Sequence, residues 1–279
     1  MICLTGDVHH ASLRINDQKF LPSGETEVQI AGRYVALLEK YGVKATLYVC
    51  GKCFVEEWDD LKPCVLSPLV EVGGHGYRTR DPRPLFDWYG ERTGNWNGPR
   101  AYQDWDIRRM SEVCYECTGS TPIAWRAHSL KVDANTYPLL AKHGYRLVSD
   151  EINAQKTGPE RIAHGLVSHP MNVLPDHDHL YHAHRTPEYV EKANAAGYGA
   201  DDFGAVSYSI EEWGEKVLAQ VRAIEERGGV ATILAHPICM YLADNFQTFE
   251  KLLEVFSDSH CIHAREILPL VDKQEQHVL

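Results

Sequence analysis

Thr46-Leu47-Tyr48-Val49 is apolar or β-favouring at every position, and Ala231-Thr232-Ile233-Leu234 repeats that character near the other end of the chain. A strand with one solvated face alternates apolar and polar residues, whereas near-continuous apolar character marks a strand buried on both faces. Strands of that kind belong to parallel sheets covered by helices on either side.

Outward from these two segments, short apolar runs alternate with longer amphipathic ones. The expected strands are Ile2–Leu4, 45–50, Val70–Val72, Ile123–Trp125, Arg146–Ser149, Gly165–Ser168 and Val230–Ala235. Val28, Ala31, Val35 and Leu38 share one helical face, and Gly42 ends that helix. A second helix starts at Ser209, with Glu212 completing a capping box. Trp213, Val217, Val221 and Ile224 form its buried stripe, and Gly228-Gly229 stop it. Seven strands with intervening helices imply parallel βα units, so functional groups are expected just past the C-terminal ends of the strands. Pattern alone leaves open whether the sheet closes into a barrel.

The bulk properties narrow the function. The 279 residues carry a formal net charge of −11 with no run of Lys or Arg, which disfavours nucleic acid and anionic membranes as partners. The apolar runs fall far short of the roughly twenty residues of a membrane span. No Pro/Gly/Ser linker or internal repeat divides the chain, so residues 1–279 are expected to form a single catalytic domain. The start, Met1-Ile2-Cys3-Leu4, lacks the build of a secretory signal, and eight scattered cysteines suit a reducing compartment. A cytoplasmic protein is expected.

Chemistry-bearing residues follow the strands in turn. Thr5-Gly6-Asp7-Val8-His9-His10 follows the first and Gly73-Gly74-His75-Gly76-Tyr77 the third; Arg126-Ala127-His128 follows the fourth, Asp150 the fifth and His236-Pro237 the last. Imidazole and carboxylate together suit zinc or a similar divalent ion. An Arg beside an Asp keeps that carboxylate ionised and oriented, and a further His is placed to donate a proton. A Lewis acid, a base and an acid make up the equipment of metal-assisted hydrolysis.

In order and spacing these motifs resemble the polysaccharide deacetylase (NodB-like, carbohydrate esterase) family over nearly the whole chain. The resemblance implies a distorted seven-stranded (β/α) barrel. It also implies a metal-dependent hydrolase, with zinc the expected ion, that removes an acetyl or other acyl group from an amide nitrogen. An N-acetylated carbohydrate is the leading small-molecule substrate, with other small amides next. Carried over by position, Asp7 is the general base that activates water and Arg126 orients it. His236 is the general acid, and His9 and His75 lie at the metal.

Two positions depart from the family pattern. His9 stands where an acidic ligand is usual, and Thr79 stands where a second histidine is expected four residues after His75. A Thr hydroxyl is a poor zinc ligand. Three arrangements therefore remain open: Asp7, His9 and His75 with water; a ligand from the segment holding His169, His177, His179, His182 and His184; or no metal. The last would make the chain a non-catalytic carbohydrate-binding relative, and Asp7-Val8-His9-His10 also brings a binuclear amidohydrolase to mind. A structural salt bridge is a rival explanation for Arg126, and a Gly-rich turn suits His75 equally. Cys50-Gly51-Lys52-Cys53 and Cys114-Tyr115-Glu116-Cys117 are about sixty residues apart, too far for a compact zinc ribbon, and are taken as buried thiols. Trp88 and Trp96 offer either a sugar platform or a staple for a long loop, and Trp105 is expected in the core.

Overall fold

The computed structural model describes residues 1–13, 16–183, 185–195 and 201–276. His184 lies outside the described residues. The strands are β1 Ile2–Val8, β2 Ala45–Val49, β3 Val70–Gly74, β4 Ala124–Trp125, β5 Leu147–Val148, β6 Glu160–Arg161, β7 Val167–Ser168 and β8 Ala231–Leu234. They form one curled sheet in the order β6-β7-β5-β4-β3-β2-β1-β8, parallel throughout except where β6 meets β7. The fold is a distorted α/β barrel.

All seven expected strands are present, and β6 makes eight among the described residues. It escapes sequence reading because it is two residues long and both, Glu160 and Arg161, are exposed. β1 runs to Val8 rather than Leu4, so Asp7 lies within the strand, paired in register with Tyr48. β2 and β8 are buried at every position, as their unbroken apolar character requires.

Between the β7 side and β8 the backbone ladder is missing, and the side-chain amide of Asn172 spans the gap. Its Nδ2 donates to Val230 O at 2.9 Å, and its Oδ1 accepts from Thr232 N at 2.8 Å. Buried backbone groups need partners wherever a ladder stops, and one amide supplies both a donor and an acceptor here.

The helices obey their end signals. Glu27–Tyr41 opens with a capping box between Thr26 and Gln29 and closes on Gly42 in the left-handed region at φ 68°. Ile210–Glu226 opens on the Ser209–Glu212 capping box and buries Trp213, Val217, Val221 and Ile224. Trp213 is fully buried, and its Nε1 donates to Leu174 O at 3.1 Å. Burial of each such side chain stabilises the fold by roughly 1.5–3 kcal/mol.

Candidate active site

The mouth at the C-terminal ends of the strands brings Asp7, His9, His75, Arg126 and His236 together, as the strand-end rule requires. Arg126 is buried at the centre. Its Nη1 donates to Asp7 Oδ1 at 2.8 Å and its Nη2 to Thr5 Oγ1 at 2.9 Å and Ser149 Oγ at 2.8 Å. Nε donates to Ser149 O at 3.1 Å, and the guanidinium lies over the Tyr48 ring, 4.3 Å from its centroid. Tyr48 needs space for this: a Cβ on Gly73 would sit 2.4 Å from the ring.

Asp7 sits between this arginine and two imidazoles. Its Oδ2 is 3.8 Å from His75 Nε2 and 3.5 Å from His236 Nε2. Burial alone raises the Asp7 carboxyl, but Arg126, then His75 and His236, hold it well below the usual carboxylate range. His236 is held on its far side by Asp176, whose Oδ1 is 2.8 Å from Nδ1 and whose other oxygen accepts from the His236 backbone N–H. Burial works against the imidazolium, yet Asp176 and Asp7 raise it well above an ordinary histidine. One carboxylate that stays ionised thus stands beside one imidazole that stays protonated.

His9 and His75 face each other with Nε2···Nε2 at 3.2 Å. His75 Nδ1 lies 2.8 Å from the carbonyl oxygen of Arg126, which accepts only, so the proton sits on Nδ1 and Nε2 carries a lone pair. His9 Nδ1 lies 2.9 Å from Glu27 Oε1, which fixes the same tautomer. Two inward imidazole nitrogens at this separation can share a proton or a metal ion. Two imidazole nitrogens on a tetrahedral zinc stand about 3.3 Å apart, so the donor set fits. A ring nitrogen of His128 completes a group of three within 4.8 Å of one another. Burial, then His9 and His75, push His128 well below the usual histidine range, and burial takes His75 down to about 3, which keeps both rings neutral. Partners that hold the outer nitrogen of each ligating histidine are the usual second layer of a metal site.

His128 carries no metal role in the sequence reading, although it ends a strand like the others and joins His9 and His75 here. Thr79, in the place of the missing histidine, spends its hydroxyl on Arg78 O at 2.6 Å. The loop between His75 and Thr79 is pinned by Asp106, which accepts from Tyr77 N at 3.0 Å and Arg78 N at 2.8 Å. Gly76, at φ 84°, gives that carboxylate room.

The histidine-rich segment does not supply the third donor among its described residues. His169 lies behind Arg126 and bonds the Tyr48 hydroxyl at 2.8 Å, while His179 is taken up by Asp201 at 3.0 Å and Val206 O at 2.9 Å. His177 and His182 line the cavity instead. Asp176 is the residue of this segment that bonds His236. The cavity, about 530 Å³, also includes Asp7, His9, His75, His128 and His236 in its walls.

None of the tryptophans lines that cavity. Trp96 packs on Gly90 beneath Arg80 and Lys131, and Trp88 is half-exposed under Arg92. Trp105 is partly exposed, against Tyr77 and Tyr102, rather than in the core. The Cys50 and Cys53 thiols are buried and pushed well above the usual range by desolvation; Cys114, pushed up to about 11, donates to Ser120 O. The four thiols form no metal-holding group among the described residues.

Barrel, buried ion pair and clustered imidazoles define an α/β barrel with a candidate site at the strand ends. Residues 21–148, which include His75, Arg126 and His128, match the family model for polysaccharide deacetylase. No curated protein matches the chain in sequence. Solved structures extend the likeness in fold. A Mycobacterium smegmatis protein described as a polysaccharide deacetylase superposes with TM-score 0.69 at 17% identity, covering 98% of this chain and 91% of its own. A Pseudomonas aeruginosa PAO1 protein described in the same terms gives 0.64 at 12%, covering 95% and 88%. PuuE allantoinase gives 0.61 at 12%, again covering 95% and 88%. No helix among the described residues is long and apolar enough to cross a membrane.

Proposed function

We propose that residues 1–279 form a metal-dependent amide deacylase acting on a small N-acylated substrate, an N-acetylated carbohydrate foremost. The observation that carries this reading is the pair of inward imidazole lone pairs of His9 and His75 at 3.2 Å, with His128 beside them. These three side chains would hold a divalent ion, zinc by the chemistry of an all-imidazole set. Such an ion, when bound, supplies Lewis-acid polarisation of the scissile carbonyl and electrostatic stabilisation of the charge that develops on its oxygen.

The chain's own residues do the rest. Asp7, kept ionised by Arg126, takes the proton of the attacking water at Oδ2, the oxygen left free by the guanidinium. His236, kept protonated by Asp176, gives its Nε2 proton to the departing amine. Arg126 is fully buried and commits four of its five N–H donors to Asp7, Thr5 and Ser149, so it holds Asp7 in one rotamer rather than touching substrate. His128 supports the catalytic reading over a metal-free binding protein, since it offers an imidazole where Thr79 offers none. Cytoplasmic residence belongs to the same proposal, in keeping with eight free thiols.

Acetate release from N-acetylated amino sugars and from simple acetamides tests the assignment. Turnover is expected to vanish on chelation, return with zinc, and fall about 10²–10⁴-fold in Asp7→Asn with the circular dichroism unchanged. An Asp7→Asn protein with wild-type rates would remove Asp7 as the base.

A further inference from the structure

Three basic side chains line the cavity and take no part in the chemistry above. Lys19 comes from the short helix Asn16–Phe20 after β1 and Arg83 from the start of helix Arg83–Thr93 after β3; Arg185 precedes helix Pro187–Ala195. Arg185 is committed to Asp178, donating to its backbone oxygen at 3.0 Å and its carboxylate at 2.9 Å. The cavity's other carboxylates are committed too, Asp7 to Arg126 and Asp201 to His179.

Lys19 and Arg83 differ. Among the described residues Lys19 makes no ion pair; its Nζ stands over the Phe20 ring, 4.9 Å from the centroid. Arg83 is 3.5 Å from Asp87, but that carboxylate is already in close contact with Arg80, so two guanidiniums share one negative charge. The Lys19 and Arg83 end of the wall therefore carries local positive charge in a chain whose formal net charge is −11. The whole molecule repels anions at long range, and a patch of the opposite sign at a cleft concentrates them locally.

We propose that the amine portion of the substrate bears an anionic group, a carboxylate or a phosphate, bound by Lys19 and Arg83 while the acyl group lies at the histidines. This rests on the deacylase reading. Arg83 offers a planar fork that matches either anion, and Lys19 adds a point charge. The inference names the substrate class as an anionic N-acyl compound rather than a neutral sugar.

Calorimetric titration with glucosamine, muramic acid and glucosamine 6-phosphate tests the anion site without turnover, and the latter two separate carboxylate from phosphate. Wild-type protein is expected to bind at least one anionic amine about tenfold more tightly than glucosamine, about 1.4 kcal/mol. The preference is expected to collapse in the Lys19→Met/Arg83→Met double variant and to shrink with added salt. Equal or undetectable binding of the three amines, or a preference that survives the double variant, overturns the anion site and leaves the deacylase reading standing. A salt-sensitive preference lost in the double variant, with no hydrolysis of any N-acetyl form, supports the anion site and counts against deacylation.

Discussion

Glu27→Gln probes the metal site through a residue that touches neither metal nor substrate. Glu27 is buried in the first turn of helix Glu27–Tyr41, with Oε1 2.9 Å from His9 Nδ1 and Oε2 accepting from Gln18 Nε2 at 2.8 Å. The carboxylate fixes the His9 tautomer and makes its Nε2 more basic. Glutamine has the same shape but loses the charge, and its amide has one acceptor for two inward donors. With its oxygen toward His9, its NH₂ meets the Gln18 NH₂; flipped, it turns an NH₂ toward His9 Nδ1 and favours the tautomer with Nε2 protonated. Loss of such a partner costs roughly 10–100-fold in metal affinity, about 1.4–2.7 kcal/mol. Zinc affinity by competition against a chromophoric chelator reads this directly, and the zinc-dependent part of the thermal shift should shrink in step. Zinc affinity within twofold of wild type in a folded Glu27→Gln protein would refute the role given to His9.

Two further outcomes follow from the same geometry. Because His236 must be protonated to act, activity should fall as pH rises through its raised pKa, and Asp176→Asn, which removes the main raising influence, should move that alkaline limb to lower pH; a limb that stays in place would detach Asp176 from the acid. Asn172→Ala leaves two β8 backbone groups without partners and should cost about 2–6 kcal/mol in urea unfolding, at roughly 1–3 kcal/mol per buried group; a loss below about 1 kcal/mol would mean the gap is closed by something else.

The unbroken apolar runs of β2 and β8 were enough to read a parallel sheet, and the strand-end rule then brought Asp7, His75, Arg126 and His236 to one mouth. His128 shows where that reading stopped. It stood two residues after Arg126 in plain view, but its inward direction depends on the turn after β4, where Ser129 adopts φ 57°, a conformation that no composition signal marks. Attention to every strand-end histidine would have found it. Asp176 is masked for another reason: it lies among histidines, yet His169 and His179 have structural partners and the Asp176 carboxylate bonds His236. Glu27 reads locally as a helix-start acid, and only tertiary packing turns it toward His9. The tryptophans of the loop after β3 are spent on packing, because Gly90, Arg80 and Lys131 supply surfaces for Trp96 that sequence spacing does not reveal.

The most direct test is a crystal structure of untagged, zinc-equilibrated protein with data collected across the zinc absorption edge. One anomalous peak bound by His9, His75 and His128, at about 2.0–2.1 Å from each ligating nitrogen, is the predicted result. A protein that binds no ion there, or binds it without His128, would contradict the account.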